Sequence, residues 1–223
     1  TLPRKQMLKN VYKLSLSRKQ IRFSTVTVLK STNFEKQLWV NGKGTTYEVD
    51  RHDGDNDGAQ FRHRISMADL TNGSSTFSQI PGIDRILILL QGQGVELTIS
   101  GQPTKRLKLH EPFLFPADVD CHCTVESQDG KDLNIMYERE RCNGFVSILD
   151  GENTSTQVPC GTSETFVIAL GNETEIQYNN SEYVIQDTEA IKISQPKQQD
   201  IITVANHQGK ACVVCFVPSP KYM

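Results

Sequence analysis

The feature that most constrains this chain is a two-residue alternation of apolar and polar side chains along short segments. Val95-Glu96-Leu97-Thr98-Ile99 is a clear example, with Val95, Leu97 and Ile99 predicted to point inward because successive side chains on a strand face opposite sides. Gly, Pro, Asn and Asp interrupt the alternation at short intervals, as in Thr71–Ser75 and Gln91–Gly94. No amphipathic helix longer than three turns is predicted, so the pattern indicates an all-β fold of sandwich or barrel type.

One segment, Arg85–Leu90, is apolar on both faces and is predicted to lie buried between two layers. The pattern begins again, more weakly, after about Arg141. We therefore predict a basic arm at 1–24, a first β unit at 25–141 and a second, more divergent unit at 142–223. The further predicted strands are 25–29, 61–67, 112–115, 121–125, 133–137, 144–149, 165–170, 189–193, 201–204 and 211–217.

Charge and hydropathy argue against two classes of partner. The net charge of −2 over 223 residues gives no whole-molecule attraction to nucleic acid or to a membrane surface. The longest apolar run, Ile86–Leu90, is far shorter than the roughly 20 residues that span a bilayer. A cytoplasmic protein is expected.

The N-terminal arm leaves a second localisation open. The first 34 residues contain eight Lys or Arg and no acidic residue, which is typical of a mitochondrial presequence, particularly if Met7 is the native start and 1–6 an added segment. Tyr12, Leu14 and Leu16 alternate with polar residues, which favours a basic strand instead.

Six cysteines raise the question of disulfides. A chain of this length can build a core without cross-links, so free thiols in a reducing compartment are predicted. Cys212 and Cys215 have the spacing of a redox pair, but residues three apart on a strand point to opposite faces.

No metal or other cofactor is expected. Asp53–Gly58 is similar to a calcium loop, yet the twelfth position, which needs a bidentate carboxylate, is Arg64. Cys121 and Cys123 share a strand face with His122 on the other. The five histidines, at 52, 63, 110, 122 and 207, include no pair two residues apart, so we expect that one strand pair cannot assemble several imidazoles.

Polar side chains on apolar strands are the remaining candidates for function. Arg64 and Ser66 share one face, and Asp132 and Asn134 share another, while Arg85 opens the most apolar strand. Two interpretations stay open. In the first, Asp132 is neutralised by Arg64 or Arg85 in a structural ion pair. In the second, one arginine is free to bind a ligand carboxylate through two hydrogen bonds.

Six further segments occur in a fixed order along the chain: 38–48, 61–68, 73–78, 80–85, 112–115 and 132–136. Together they resemble the HutD/Ves family and cover about residues 25–141. The resemblance implies two cupin-like barrels (double-stranded β-helix or jelly-roll) packed together, a bicupin, usually without the metal-binding histidines of cupins. It also implies a link to histidine breakdown or to stress response.

The resemblance also implies a pocket in the first barrel. The polar residues that match are Asn41, Glu48, Arg64, Arg85, Asp132 and Asn134, and the aromatic walls are Trp39, Phe113 and Phe115. This chain departs from the family at His63, where tryptophan often precedes the arginine, and at Lys43, where a small residue is usual.

Three functions are weighed on this basis. The first is a binding or regulatory protein, a possible homodimer, for a small carboxylate-bearing metabolite such as the histidine-degradation intermediate formiminoglutamate. The second is an isomerase or hydrolase with Glu48 or Asp132 as general base and Arg64 or Arg85 stabilising an anion. The third is a metal cupin using His122 and the thiols beside it.

Overall fold

A computed structural model describes residues 24–39, 42, 44–53, 61–150, 155–197, 199–206 and 209–222. Within these ranges the chain forms nineteen strands and two short 3-10 turns, Ser31–Asn33 and Pro220–Tyr222, and no α-helix. The all-β prediction is confirmed. The basic arm up to residue 23, Asn41, Lys43 and the acidic loop from residue 54 lie outside the described residues.

The first eleven strands precede residue 139. They are β1 (Thr25–Leu29), β2 (Glu35–Leu38), β3 (Gly44–His52), β4 (His63–Leu70), β5 (Gly73–Thr76), β6 (Ile83–Gln91), β7 (Val95–Ile99), β8 (Lys105–Arg106), β9 (Phe113–Pro116), β10 (Cys121–Val125) and β11 (Gly130–Glu138).

The remaining eight strands complete the chain. They are β12 (Cys142–Asp150), β13 (Ser155–Pro159), β14 (Glu164–Leu170), β15 (Thr174–Tyr178), β16 (Ser181–Ile185), β17 (Ala190–Ser194), β18 (Ile201–Asn206) and β19 (Lys210–Pro218).

These strands form four sheets, and every ladder between them is antiparallel. The first outer sheet has the order β5-β10-β7-β8, and the first inner sheet the order β2-β3-β4-β11-β6-β9. The second inner sheet has the order β1-β17-β14-β19-β12, and the second outer sheet the order β13-β18-β15-β16. We call the first outer and first inner sheets the first pair, and the second inner and second outer sheets the second pair.

The three largest apolar cores among the described residues hold the four sheets together as layers. One lies inside the first pair, around Leu97 and Phe115, and another inside the second pair, around Ile176 and Val213. The third lies between the two inner sheets, where Ile65 and Ile88 pack with Phe166 and Phe216 from the other half. We call this third region the seam. Because the seam is as apolar as the other cores, the two halves share one hydrophobic interior.

Strand β6 shows why the pattern predicts this architecture. Its residues alternate between the seam, where Ile86 and Ile88 are buried, and the core of the first pair, where Leu87 and Leu89 are buried. The prediction that this segment lies between two layers is confirmed. The same alternation sets Cys212 toward the seam and Cys215 toward the core of the second pair, and all six cysteines are free thiols.

The first described strand belongs to a sheet of the second half. β1 pairs with β17, from Thr25 opposite Ser194 to Leu29 opposite Ala190, and is therefore an edge strand of the second inner sheet. Its apolar side chains explain this position, since Val26 packs against the second-pair core and Leu29 against the seam. The description of each sheet pair as a closed cupin barrel stays a prediction.

Candidate functional site

Three polar residues point into the first sheet pair. On β11, Asp132 and Asn134 face away from the seam, because Leu133 and Ile135 on the same strand are part of the seam core. The ladder sets Met136 opposite Arg85 of β6, and Arg85 points inward with Leu87. We call Arg85, Asp132 and Asn134 the buried polar cluster. The prediction that Asp132 and Asn134 share a face opposite Leu133 and Ile135 is confirmed.

Arg85 is enclosed by aromatic rings rather than by carboxylates. Only 4% of the residue is exposed, and its guanidinium carbon lies 4.5 Å from the ring centre of Phe77 and 5.8 Å from that of Phe115. Nη2 donates a hydrogen bond of 3.4 Å to the carbonyl oxygen of Ser78, whereas Nε has no partner among the residues that the structure describes. Burial lowers the pKa of Arg85 to about 10, with Asp132 opposing this shift and Arg64 adding to it.

Asp132 is the acidic member of the cluster and is 1% exposed. Asn134 donates a hydrogen bond of 2.5 Å from Nδ2 to Oδ1 of Asp132, and no described residue is a partner of Oδ2. Burial raises the pKa of Asp132 to about 7, although nearby Arg85 and the hydrogen bond from Asn134 partly offset the rise. At neutral pH this carboxyl group therefore exists as a mixture of its acid and anion.

The predicted ion pair between Asp132 and an arginine does not form. Among the described residues, no Lys or Arg nitrogen lies within 4.0 Å of the Asp132 carboxylate. Arg64 forms an ion pair with a different carboxylate, because its Nε lies 2.5 Å from Oε2 of Glu48. Of the two predicted arginines, Arg85 is thus the one without a carboxylate partner in the described part of the chain.

The pair Glu48–Arg64 lines a separate, open cleft of about 560 Å³. Each of its two side chains is about one fifth exposed, with 21% for Glu48 and 19% for Arg64. The ladders nevertheless set both Arg64 and Arg85 opposite Met136 of β11, so the cleft and the buried polar cluster adjoin. The other lining residues are Glu35, Gln37, Arg51 and Asp53.

The three predicted aromatic walls lie at the core of the first pair. Phe113 stacks on Phe115 with 5.7 Å between ring centres, and Trp39 packs against the same core while its Nε1 donates a hydrogen bond of 2.8 Å to Thr46. Of these three, Phe115 contacts the guanidinium of Arg85. The predicted ligand residue Asn41 lies outside the described residues.

Sequence reasoning missed several residues around the site. Phe77 and Ser78, which hold Arg85, belong to a segment that was noted only as a family match. Arg51 and Asp53 were missed because a β-bulge between Glu48 and Asp50 changes which side chains of β3 face the cleft. Alternation alone places Glu48 and Asp50 on one face, and no sequence signal marks the bulge.

The proposed metal site around His122 is not assembled. Cys121 and Cys123 point into the core of the first pair, whereas His122 is exposed and its Nδ1 lies 3.1 Å from the hydroxyl of Thr76. Burial raises the pKa of Cys121 to about 11 and that of Cys123 to about 12, so neither thiol is ionised at neutral pH.

Comparison with known proteins decides the family. The HutD family model matches residues 31–213, which is most of the chain. The chain belongs to the HutD family. An uncharacterised 21.2 kDa protein in the hutC 3' region of Pseudomonas putida is 26% identical over 192 residues, which are 86% of this chain and 97% of that protein. Protein Ves of Citrobacter koseri is 38% identical over 114 residues, which are 51% of this chain and 58% of Ves.

Solved structures agree on the fold. HutD from Pseudomonas fluorescens SBW25 has a TM-score of 0.75 at 22% identity, covering 87% of this chain and all of that one. A cupin 2 conserved barrel domain protein from Leptotrichia buccalis has a TM-score of 0.52 at 10% identity and covers 90% of this chain and 99% of that one. The HutD fold of this chain is therefore cupin-like. Among the described residues, no helix has the length and apolar character needed to cross a membrane.

Proposed function

We propose that this chain is a binding or regulatory protein that holds a small carboxylate-bearing metabolite inside its first sheet pair. The observation that carries the proposal is that Nε of Arg85 and Oδ2 of Asp132 are both buried and that, in the part of the chain that the structure describes, both lack a hydrogen-bond partner. Leaving a buried charged group without a partner costs about 1–3 kcal/mol or more. A ligand that supplies one acceptor and one donor would satisfy both atoms at once.

The chemistry of the cluster selects the ligand class. A carboxylate matches the planar fork of Arg85, and an amide, imine or ammonium N–H can donate to Asp132. Phe77 and Phe115 exclude water from the arginine, which strengthens both interactions. Formiminoglutamate carries carboxylates and an imine-type N–H in one molecule, and a relative of this chain is encoded in a hutC region.

Thermal unfolding with candidate ligands tests the proposal. Formiminoglutamate, urocanate, glutamate and formate would each be added at millimolar concentration to the native protein and to Arg85→Met. We expect at least one of the acids to raise the Tm of the native protein, because binding to the folded state alone stabilises it. Arg85→Met should remove this increase and still fold, since replacing a buried charge by an apolar side chain of similar length is often neutral or stabilising.

The matched control is Arg106→Met, which changes an arginine of β8 that is exposed and paired with Glu96 and Glu126. This variant should keep the full response to the ligand. If none of the four acids raises the Tm of the native protein, or if Arg85→Met responds as strongly as the native chain, the proposal is wrong.

One observation favours an isomerase or hydrolase as a second candidate. A carboxyl group with a pKa of about 7 beside an arginine is suited to general base catalysis at neutral pH, and Asp132 has this property while Glu48 is paired with Arg64. Incubating the protein with any acid that binds, and following it by NMR, separates the two functions. Turnover that Asp132→Asn abolishes would indicate an enzyme, and an unchanged ligand would indicate binding alone.

A further inference from the structure

Two histidines meet at the edge of the seam, on the opposite face of the first inner sheet from the buried polar cluster. The expectation that no strand pair brings imidazoles together is wrong, because the ladder between β3 and β4 sets His52 directly opposite His63. Their ring centres are 5.2 Å apart. The β-bulge between Glu48 and Asp50 turns the end of β3 so that Asp50 and His52 face the seam while Glu48 faces the cleft.

A carboxylate from the other half of the chain completes the group. Glu164 opens β14 and is 7% exposed, and its Oε2 lies 2.7 Å from Nε2 of His63 and 3.8 Å from Nδ1 of His52. One ligand atom from each of the three residues lies within 4.8 Å of the other two. Tetrahedral zinc with bonds of about 2.0–2.1 Å holds its ligand atoms roughly 3.3 Å apart, so small side-chain movements would close the three around one ion.

The close contact between His63 and Glu164 requires a hydrogen or a metal ion between the two atoms. Within the described residues, neither Nε2 of His63 nor Oε2 of Glu164 has an aligned hydrogen-bond partner, although the two atoms lie only 2.7 Å apart and His63 is 1% exposed. An imidazole lone pair and a carboxylate oxygen repel each other at this distance in a buried site. Either a proton on Nε2 or a metal ion between the two atoms removes the repulsion.

The surrounding charged groups are also out of balance. Lys192 lies 3.0 Å from Oε1 of Glu164 and 2.9 Å from Oδ2 of Asp50, so it neutralises one of these two carboxylates and leaves Oε2 of Glu164 unoccupied. With both imidazoles neutral, the group of two carboxylates and one lysine carries a net charge of −1. Buried charge needs a partner. One additional cation would balance the group.

Two observations favour a metal over a proton. A hydrogen on Nε2 of His63 would satisfy only the contact between His63 and Glu164, yet His52 also directs Nδ1 at the same oxygen of Glu164. The side chain of His52 is 48% exposed, which provides a path from solvent and room for a water molecule as fourth ligand. Stacking of His63 on Phe216, with ring centres 4.0 Å apart, fixes the buried imidazole in place.

We propose that His52, His63 and Glu164 bind one divalent transition-metal ion, such as Zn²⁺ or Co²⁺, at the seam between the two halves of the chain. Two imidazoles and one carboxylate with an open position are a ligand set that zinc, iron and cobalt accept in proteins. Lys192 holds the second oxygen of Glu164 and orients the ligating one. Because the ligands come from both inner sheets, the ion would link the two halves.

Metal titration of the chelator-treated full chain tests this site. Co²⁺ binding would be followed by its visible absorption and Zn²⁺ binding by calorimetry, and Tm would be measured with and without one equivalent of Zn²⁺. We expect one ion per chain, a higher Tm with zinc, and an affinity at least about tenfold lower in His52→Ala. His52 is largely exposed, so this variant should fold normally.

The matched control is His122→Ala, which removes an exposed histidine from β10 and should bind metal like the native chain. Arg85→Met should also bind metal normally, so failure of the metal site and failure of the proposed function are distinguishable. If the native chain binds neither ion at micromolar concentration, or if His52→Ala binds as tightly as the native chain, a proton on His63 accounts for the contact and the metal site is wrong.

Discussion

At the scale of single residues, the first sheet pair contains a buried carboxyl group whose anion is only partly stabilised by the groups around it. Asp132 is fully enclosed, receives one hydrogen bond from Asn134, and lies among groups that only partly offset its burial. The raised pKa means that the folded protein holds the proton of this carboxyl group more tightly than the unfolded chain does. Stability and pH are therefore linked through this one side chain.

We expect Asp132→Asn to change the pH dependence of unfolding. The unfolded carboxyl group titrates near its ordinary pKa of about 3.9. The pKa of folded Asp132 is about 7, so the native protein loses stability as the pH rises from about 4 to about 7. The loss should approach 1.4 kcal/mol per pH unit, and stability should be level above that range. The variant should lack this loss, so its free energy of unfolding should exceed that of the native protein increasingly toward pH 7.

Urea unfolding at pH 5, 6, 7 and 8 measures this difference. The control, Asp129→Asn, changes an exposed carboxylate in the turn before β11 and should follow the native curve. Parallel curves for Asp132→Asn and the native protein would show that Asp132 does not titrate in this range.

The same residues also show how much of the candidate site could be predicted from the sequence. The period of two residues places Asp132 and Asn134 on one face correctly, because each strand obeys it locally. It does not give the partners of each charge. Arg64 pairs with Glu48, whereas Arg85 pairs with no carboxylate among the described residues. Both outcomes depend on the register between strands and on a β-bulge, and the two-residue pattern records neither.

At the scale of strands and sheets, the predictable elements are those with one or two buried faces. β7 and β10 have the predicted bounds, and β6 extends its prediction by only a few residues, because burial imposes a clear apolar pattern on each. Of the seven strands that were not predicted, β2, β13 and β16 lie at sheet edges and are mostly exposed, so no apolar periodicity is required of them.

Close contact between the two inner sheets depends on a glycine in β12. A Cβ atom at Gly144 would lie 2.6 Å from the ring of Tyr137, a buried residue of β11 in the seam. We expect Gly144→Ala to lower the free energy of unfolding by about 1–3 kcal/mol, because the ring or the sheets must move apart to admit the methyl group.

Denaturant unfolding of Gly144→Ala measures this loss, with Ser147→Thr as control. Ser147 is an exposed residue of the same strand, so a methyl group added there meets no packed ring and should change stability little. Equal stabilities of Gly144→Ala and the control would mean that the seam tolerates a wider spacing than the structure shows.

At the scale of the whole molecule, the two halves are not independent units. They share the seam core, and the first strand of the chain completes a sheet of the second half. The sequence predicts two successive units, because each half repeats the alternation. It does not predict this exchange, since β1 and β17 are separated by about 160 residues and either half could accept a short apolar strand.

A cut between the halves tests how far they depend on each other. A protease site inserted in the turn at residues 139–141 would be cleaved in the folded protein. We expect the two fragments to stay together and to elute from a gel-filtration column as one particle, because the seam and β1 still join them. The same site inserted but left uncut is the control, and separation of the fragments under native conditions would contradict the shared core.

The position of β1 also has a consequence for the order in which the protein forms during synthesis. When the ribosome has released Glu138, all strands of the first two sheets are present, but Thr25–Leu29 still has no neighbour. Its partner Ala190–Ser194 emerges only after every strand of the first two sheets. β1 is thus fixed later than the sheets that follow it, and contacts so distant in sequence form slowly. We expect nascent chains to keep this segment open to proteases and to chaperones until Ala190–Ser194 has emerged.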